Sequence, residues 1–223
     1  MDWSALALSF ELGAWTALLL LPLGVWLGRL LALRSFRGKG FVEALVALPL
    51  LLPPTVIGFY LLVAFGATSP LGRAFESVVG KTLVFSFEGL LLASVLINIP
   101  FVVQPIQRAF ESIAPEVREA AACCGMSPVT AFRRIELPLA WPGITTGLVL
   151  AFAHTLGEFG VVLMVGGSIP GETRTMAIAI YDRVQAFDYA AAGAMAAALL
   201  LLALLALGIT NTLSRRIGRT HGR

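Results

Sequence analysis

The chain has 223 residues, 58% of them hydrophobic and 13% charged, with a formal net charge of +3. A mean hydropathy of +0.88 excludes a soluble globular domain, whose charged fraction is about twice as large, and the length leaves room for one membrane bundle but no second catalytic domain. The pI of 9.2 does not point to nucleic acid, because the basic residues stand singly at the ends of apolar runs.

The first apolar run, Leu8 to Leu33, is long enough to cross a bilayer. The stretch Met1 to Leu33 has neither a basic leader nor a small-residue cleavage site, so it is expected to stay as the first span. Val42 to Phe65 follows, with Pro49, Pro53 and Pro54 inside it. Each proline removes a backbone donor, so this helix must kink or break and its freed carbonyls must find water or neighbours. A kink for packing accounts for any one proline. Three of them within six residues favour a pathway-lining helix, with Thr55 and Gly58 just beyond. The third run, Leu90 to Ile106, is the shortest and is expected to extend to Phe87 or Arg108.

A polar stretch comes next. Pro115 suits the first turn of a helix, Glu116 and Glu119 complement the dipole near that end, Gly125 reads as the residue just past the helix, and Ser127-Pro128 restarts a second helix as N-cap and first residue. Ala120, Ala121 and Ala122 give the first helix a face with little bulk, where another backbone can approach, with Arg118 and Glu119 as polar anchors. An amphipathic helix lying on headgroups would show large apolar residues, which are missing here. Cys123 and Cys124 are adjacent, too close for an unstrained disulfide, and read as small packing residues.

The fourth run, Leu139 to Val165, carries His154 and Glu158 one turn apart, on one helical face. Either Glu158 faces a wet interior with His154 as its partner, in a gating or registry role, or it reaches an interface while His154 is merely packed. A loop rich in turn formers, with Pro170, Gly171, Glu172, Thr173 and Arg174, precedes a short helix over Met176 to Phe187; it is either a docking site or a solvated connection. The last run, Ala190 to Leu213, shows a small-residue face suited to close helix packing, with Gly193 and Ala197 four apart.

Five spans put the termini on opposite sides. Arg29, Arg34, Arg37, Lys39, Arg108, Arg118, Arg133, Arg134, Arg215, Arg216, Arg219 and Arg223 fall on one side, against Arg73, Lys81, Arg174 and Arg183 on the other. The excess of positive charge marks the first side as cytoplasmic. The N-terminus is then expected outside, the C-terminus inside, and the polar stretch in the cytoplasm.

Glu119-Ala120-Ala121, Gly125, Ile135, Leu137 and Pro138 resemble the EAA motif of permease subunits of bacterial ABC importers, at every fixed position and at the expected spacing. Leu52 to Gly58, Leu156 to Gly160, and Ile169 to Thr175 with Ala179-Ile180-Tyr181 look like the molybdate (and tungstate) branch, and the likeness covers nearly the whole chain. It implies an all-α integral membrane protein of the type I ABC importer permease fold, with about five transmembrane helices. Residues 1–223 form a single transmembrane domain, with a cytoplasmic coupling segment, 111–138, that docks on an ATPase. Pro53, Pro54, Thr55, Gly58, His154 and Glu158 are candidates for the pathway or its gate, and Pro170 to Arg174 for contact with a binding protein.

The resemblance further implies a homodimer in the lipid bilayer of the bacterial cytoplasmic membrane, two cytoplasmic ABC ATPase subunits and a periplasmic or extracellular molybdate-binding protein. The chain has no Gly-x-x-x-x-Gly-Lys-Ser/Thr loop; ATP and Mg are expected on the partner ATPase, and no metal, cofactor or catalytic residue in this chain. The rival readings are a permease for tungstate or sulfate, a secondary transporter, and a membrane-embedded enzyme built on His154 and Glu158.

Overall fold

The computed structural model describes residues 1–220, with side chains up to residue 206 and at residue 208. The side chains of Arg215, Arg216 and Arg219, and the whole of Arg223, lie outside the described residues. The chain runs through α1 (Trp3–Leu33), α2 (Lys39–Leu51), α3 (Pro54–Phe65), α4 (Pro70–Val79), α5 (Phe87–Glu111), α6 (Pro115–Cys123), α7 (Pro128–Ala131), a π-helical turn (Phe132–Glu136), α8 (Leu137–Gly157), α9 (Gly160–Gly166), α10 (Met176–Gln185) and α11 (Tyr189–Thr220). Four stretches are long and apolar enough to cross a membrane, and the bent pair α2 and α3 makes a fifth crossing if counted as one span.

The second span breaks outright, with 109° between α2 and α3. The last bond of α2 joins the Leu52 N–H to the Leu48 carbonyl at 3.2 Å. Pro53 and Pro54 have no N–H to continue the ladder. The fourth run, expected to be continuous, also breaks. Glu158 is extended (φ −69°, ψ 125°), so α8 stops at Gly157 and α9 starts afresh at Gly160. The amphipathic α4, between the second and third spans, was not foreseen.

Helix α5 is the hub, with α1 and α8 packed against it. Glycines set the separation: a Cβ at Gly28 would stand 3.1 Å from the Gln107 nitrogen, and one at Gly143 2.7 Å from the Pro105 oxygen. Small residues at such crossings let backbones approach until dispersion contacts form along both helices. Leu20, Val102, Ile106, Phe110, Ala140 and Ile144 fill the space around this joint and are fully buried.

Helix α1, about 46 Å long at 1.5 Å per residue, defines two ends of the molecule. At its start, Asp2 caps the helix by accepting the Ala5 N–H at 3.0 Å and pairs with Arg174 in the loop before α10. Buried Ser9 accepts the Met176 N–H at 2.8 Å, and Ala5, Met176, Ala179 and Met195 pack there. At its other end α1 meets the segment joining α5 to α8.

Candidate coupling segment and pathway site

The segment between α5 and α8 folds as helix, turn and helix. Pro115 opens α6 and Ser127 caps α7, with its hydroxyl accepting the Thr130 N–H at 3.3 Å ahead of Pro128. Gly125 adopts φ +73°. The Gly125 N–H bonds the Ala122 carbonyl at 2.9 Å and the Met126 N–H the Ala121 carbonyl at 3.1 Å, the paired closure that a left-handed glycine permits at a helix end. No atom lies within 4 Å of a Cβ placed at Gly125, so backbone conformation alone demands glycine there.

Glu119, Ala120 and Ala122 are exposed, whereas Ala121 is buried, so the alanine run presents two small residues outward rather than three. Ile135 and Leu137 are half-buried and Pro138 is exposed. Cys123 and Cys124 are free and exposed instead of packed. Arg118, expected to be a surface anchor, turns inward. Its Nη2 donates to the Phe110 carbonyl at 2.8 Å, and its Nε lies 3.3 Å from Glu136 Oε1 without a hydrogen bond's alignment.

The pathway candidates gather where the two broken spans meet. His154 and Glu158, with Pro49, Pro54, Ile57 and Phe101, line a cavity of about 190 Å³. Gly58 packs against Met164, and Gly160 packs against Pro54, so α3 and α9 touch closely. Pro53 and Thr55 are exposed and lie outside that lining.

Glu158 faces inward. It is 7% exposed, Oε1 accepts the Val161 N–H at 2.9 Å, and Oε2 lies 3.6 Å from His154 Nε2. The carboxylate therefore caps α9, which explains the break in the chain beneath it. Asn98 Nδ2 donates to the Ser94 carbonyl at 2.8 Å and to Thr155 Oγ1 at 3.1 Å, which turns its Oδ1 toward His154 Nδ1 at 3.1 Å. Nδ1 must then donate. Nε2 is left facing the carboxylate, a contact that attracts only if a proton sits on one of the two groups. Phe101 stacks on the imidazole, with 4.2 Å between centroids. Among the described residues, no group of three or more His, Cys, Asp or Glu is placed to hold a metal.

In the loop before α10, Pro170, Gly171 and Glu172 are exposed. Thr173 is buried and accepts the Ile169 N–H at 3.0 Å, while Arg174 turns back onto Asp2 and lies 3.9 Å from Asp182. The outward surface of the loop is thus its tip.

Residues 21–219 match the family described as binding-protein-dependent transport system inner membrane component. The chain belongs to that family. It is 47% identical over 206 residues to the molybdenum transport system permease protein ModB of Azotobacter vinelandii, covering 92% of this chain and 91% of the relative. It is 38% identical over 184 residues to the protein of the same name in Escherichia coli (strain K12), covering 82% and 80%. The crystal structure of a bacterial ABC transporter that imports the acidic polysaccharide alginate superposes with a TM-score of 0.76 at 20% identity, over 96% of this chain and 79% of that one. The permease therefore has the all-α fold of type I ABC importer permeases, and it is a multi-pass membrane transport component.

Sequence reasoning missed one centre in this permease. Glu136, which stands between Ile135 and Leu137 of the motif and carries no expected role, is 4% exposed, and it receives Arg29 of α1 at 2.6 Å. Arg29, counted as a topology signal, also stands over the Phe132 ring at 5.0 Å. The available signal was its position inside an apolar run, where a lone cation requires a partner. The partner lies 107 residues away, and no local pattern reveals it.

Proposed function

We infer that this chain is the membrane conduit of an ATP-driven importer of molybdate in the bacterial cytoplasmic membrane. The 47% identity over 92% of the chain to the Azotobacter vinelandii molybdenum permease carries that reading. Two copies enclose the pathway, since the cavity lined by His154 and Glu158 holds only about 190 Å³. The 111–138 segment docks on a separate ATPase that holds ATP and Mg, and the exposed Pro170, Gly171 and Glu172 meet the binding protein. The N-terminus lies outside and the C-terminus in the cytoplasm, as the distribution of basic residues supports.

Closure of the ATPase pair draws the two α6 helices together and swings the spans from inward-open to outward-open. Hydrolysis resets them. Glu158 takes no part in gripping the cargo, because a carboxylate repels a dianion; its fit is to the cap of α9. Anion choice rests mainly on the binding protein, since the described cavity has no arginine or lysine in its lining.

The test is uptake into vesicles holding the reconstituted complex, comparing molybdate, tungstate and sulfate. Accumulation of molybdate that requires ATP, the ATPase subunit and the binding protein is the expected result. Accumulation without the ATPase would overturn it in favour of a secondary transporter.

A further inference from the structure

We propose that Glu136 is the positioning residue through which movement of α6 reaches the spans. The inference rests on the reading of α6 as the docking helix and adds a residue to it. Four elements converge on this carboxylate. Arg29 brings α1, Arg118 brings α6, the Phe110 carbonyl bonded to Arg118 brings the end of α5, and Glu136 itself sits where the π turn enters α8.

The clasp is built differently on its two sides. On the α1 side it is tight, at 2.6 Å, with the same guanidinium over Phe132. On the α6 side it is loose, because Arg118 Nε is buried yet lacks an aligned acceptor at 3.3 Å from Glu136 Oε1. Directional bonds lengthen or align as donors move, so a small shift of α6 changes this contact first. The π turn adds a second sign of adjustable geometry. It places one extra residue within the turn at the point where α8 begins, a feature concentrated at functional positions of helices. A push on α6 therefore acts on the carboxylate, and the carboxylate acts on α1 and on the root of α8.

The experiment uses the full complex in proteoliposomes and reads molybdate delivered per ATP hydrolysed. Glu136→Gln should lower that ratio about tenfold or more in a complex that assembles normally, with Glu136→Asp restoring part of it. Combining Arg118→Gln with Glu136→Gln should cost no more than Glu136→Gln alone, as expected of residues acting as one unit. A ratio within about twofold of the native value in an assembled Glu136→Gln complex would overturn the proposal. Should that variant not assemble, Arg29→Gln and Arg118→Gln, each leaving Glu136 one partner, carry the test. Failure of all three to assemble overturns it as well, because the clasp would then hold the fold and transmit nothing. If instead Ala120→Trp on the exposed face of α6 leaves the ratio intact, the docking reading itself fails, whatever Glu136 does.

Discussion

His154 Nε2 and Glu158 Oε2 stand 3.6 Å apart at the point where α8 ends, while the second oxygen of Glu158 holds the Val161 N–H at 2.9 Å. One carboxylate therefore faces a side chain from the last turn of α8, holds the first turn of α9 and lines a cavity. Glu158→Ala orphans the Val161 N–H and should lower stability by about 1–2 kcal/mol, whereas Glu158→Gln keeps an acceptor and should lower it by less. Thermal unfolding of the purified permease separates the two. Unaltered melting of Glu158→Gln with lost uptake would show that the charge serves transport as well as the cap.

Replacing Gly125 should affect coupling more than folding. Its φ of +73° disfavours any residue with a Cβ, and a β-branched one most, yet no neighbour lies within 4 Å of the new atom. Gly125→Val is expected to cost about 1–2 kcal/mol locally, to leave the spans inserted, and to uncouple hydrolysis from uptake. Gly125→Asn, which tolerates the left-handed region, should retain much of the coupling. Assay of transport per ATP in both variants checks the order.

The crossing of α8 over α5 should resist enlargement. A Cβ at Gly143 would fall 2.4 Å from the Ala109 Cβ and 2.7 Å from the Pro105 oxygen, both fixed on a helix. Gly143→Ala is therefore expected to push the helices apart and destabilise by about 1–3 kcal/mol. Gly193→Ala, where nothing lies within 4 Å, should change melting little and serves as the control.

Acid should loosen the Asp2 end. The Ala5 N–H, against a smaller opposing effect of burial and with help from Ser4 and Arg174, holds the Asp2 carboxyl below its ordinary value. A carboxyl depressed on folding contributes stability that is full above its unfolded value of about 3.9 and is lost as pH falls through the folded one. Melting measured from pH 6 downward should therefore fall more steeply below about pH 4 in the native permease than in Asp2→Asn.

Much of the fold was legible because it follows local rules. Length and apolarity gave the spans, Pro53 and Pro54 gave the break in the second one, and Gly125 and Ser127-Pro128 gave the turn between α6 and α7. The second break was not legible, since Leu156 to Gly160 reads as continuous apolar helix until Glu158 is seen capping Val161. Helix α4, in contrast, carries local signals of the same kind as α7: Ser69 and Pro70 stand at its start as N-cap and first residue, and Gly80 ends it in the left-handed conformation.

The sequence by itself determined a membrane bundle, its family likeness and the local chemistry of each turn, because those depend on neighbours within a few residues. Only the tertiary structure decided which charges are paired. Arg29 with Glu136, Arg174 with Asp2 and His154 with Asn98 join residues 56 to 172 positions apart. A buried charge or polar group needs a partner, but the identity of that partner is fixed by how helices cross, and the crossings are set by glycines whose contacts exist only once the helices have packed.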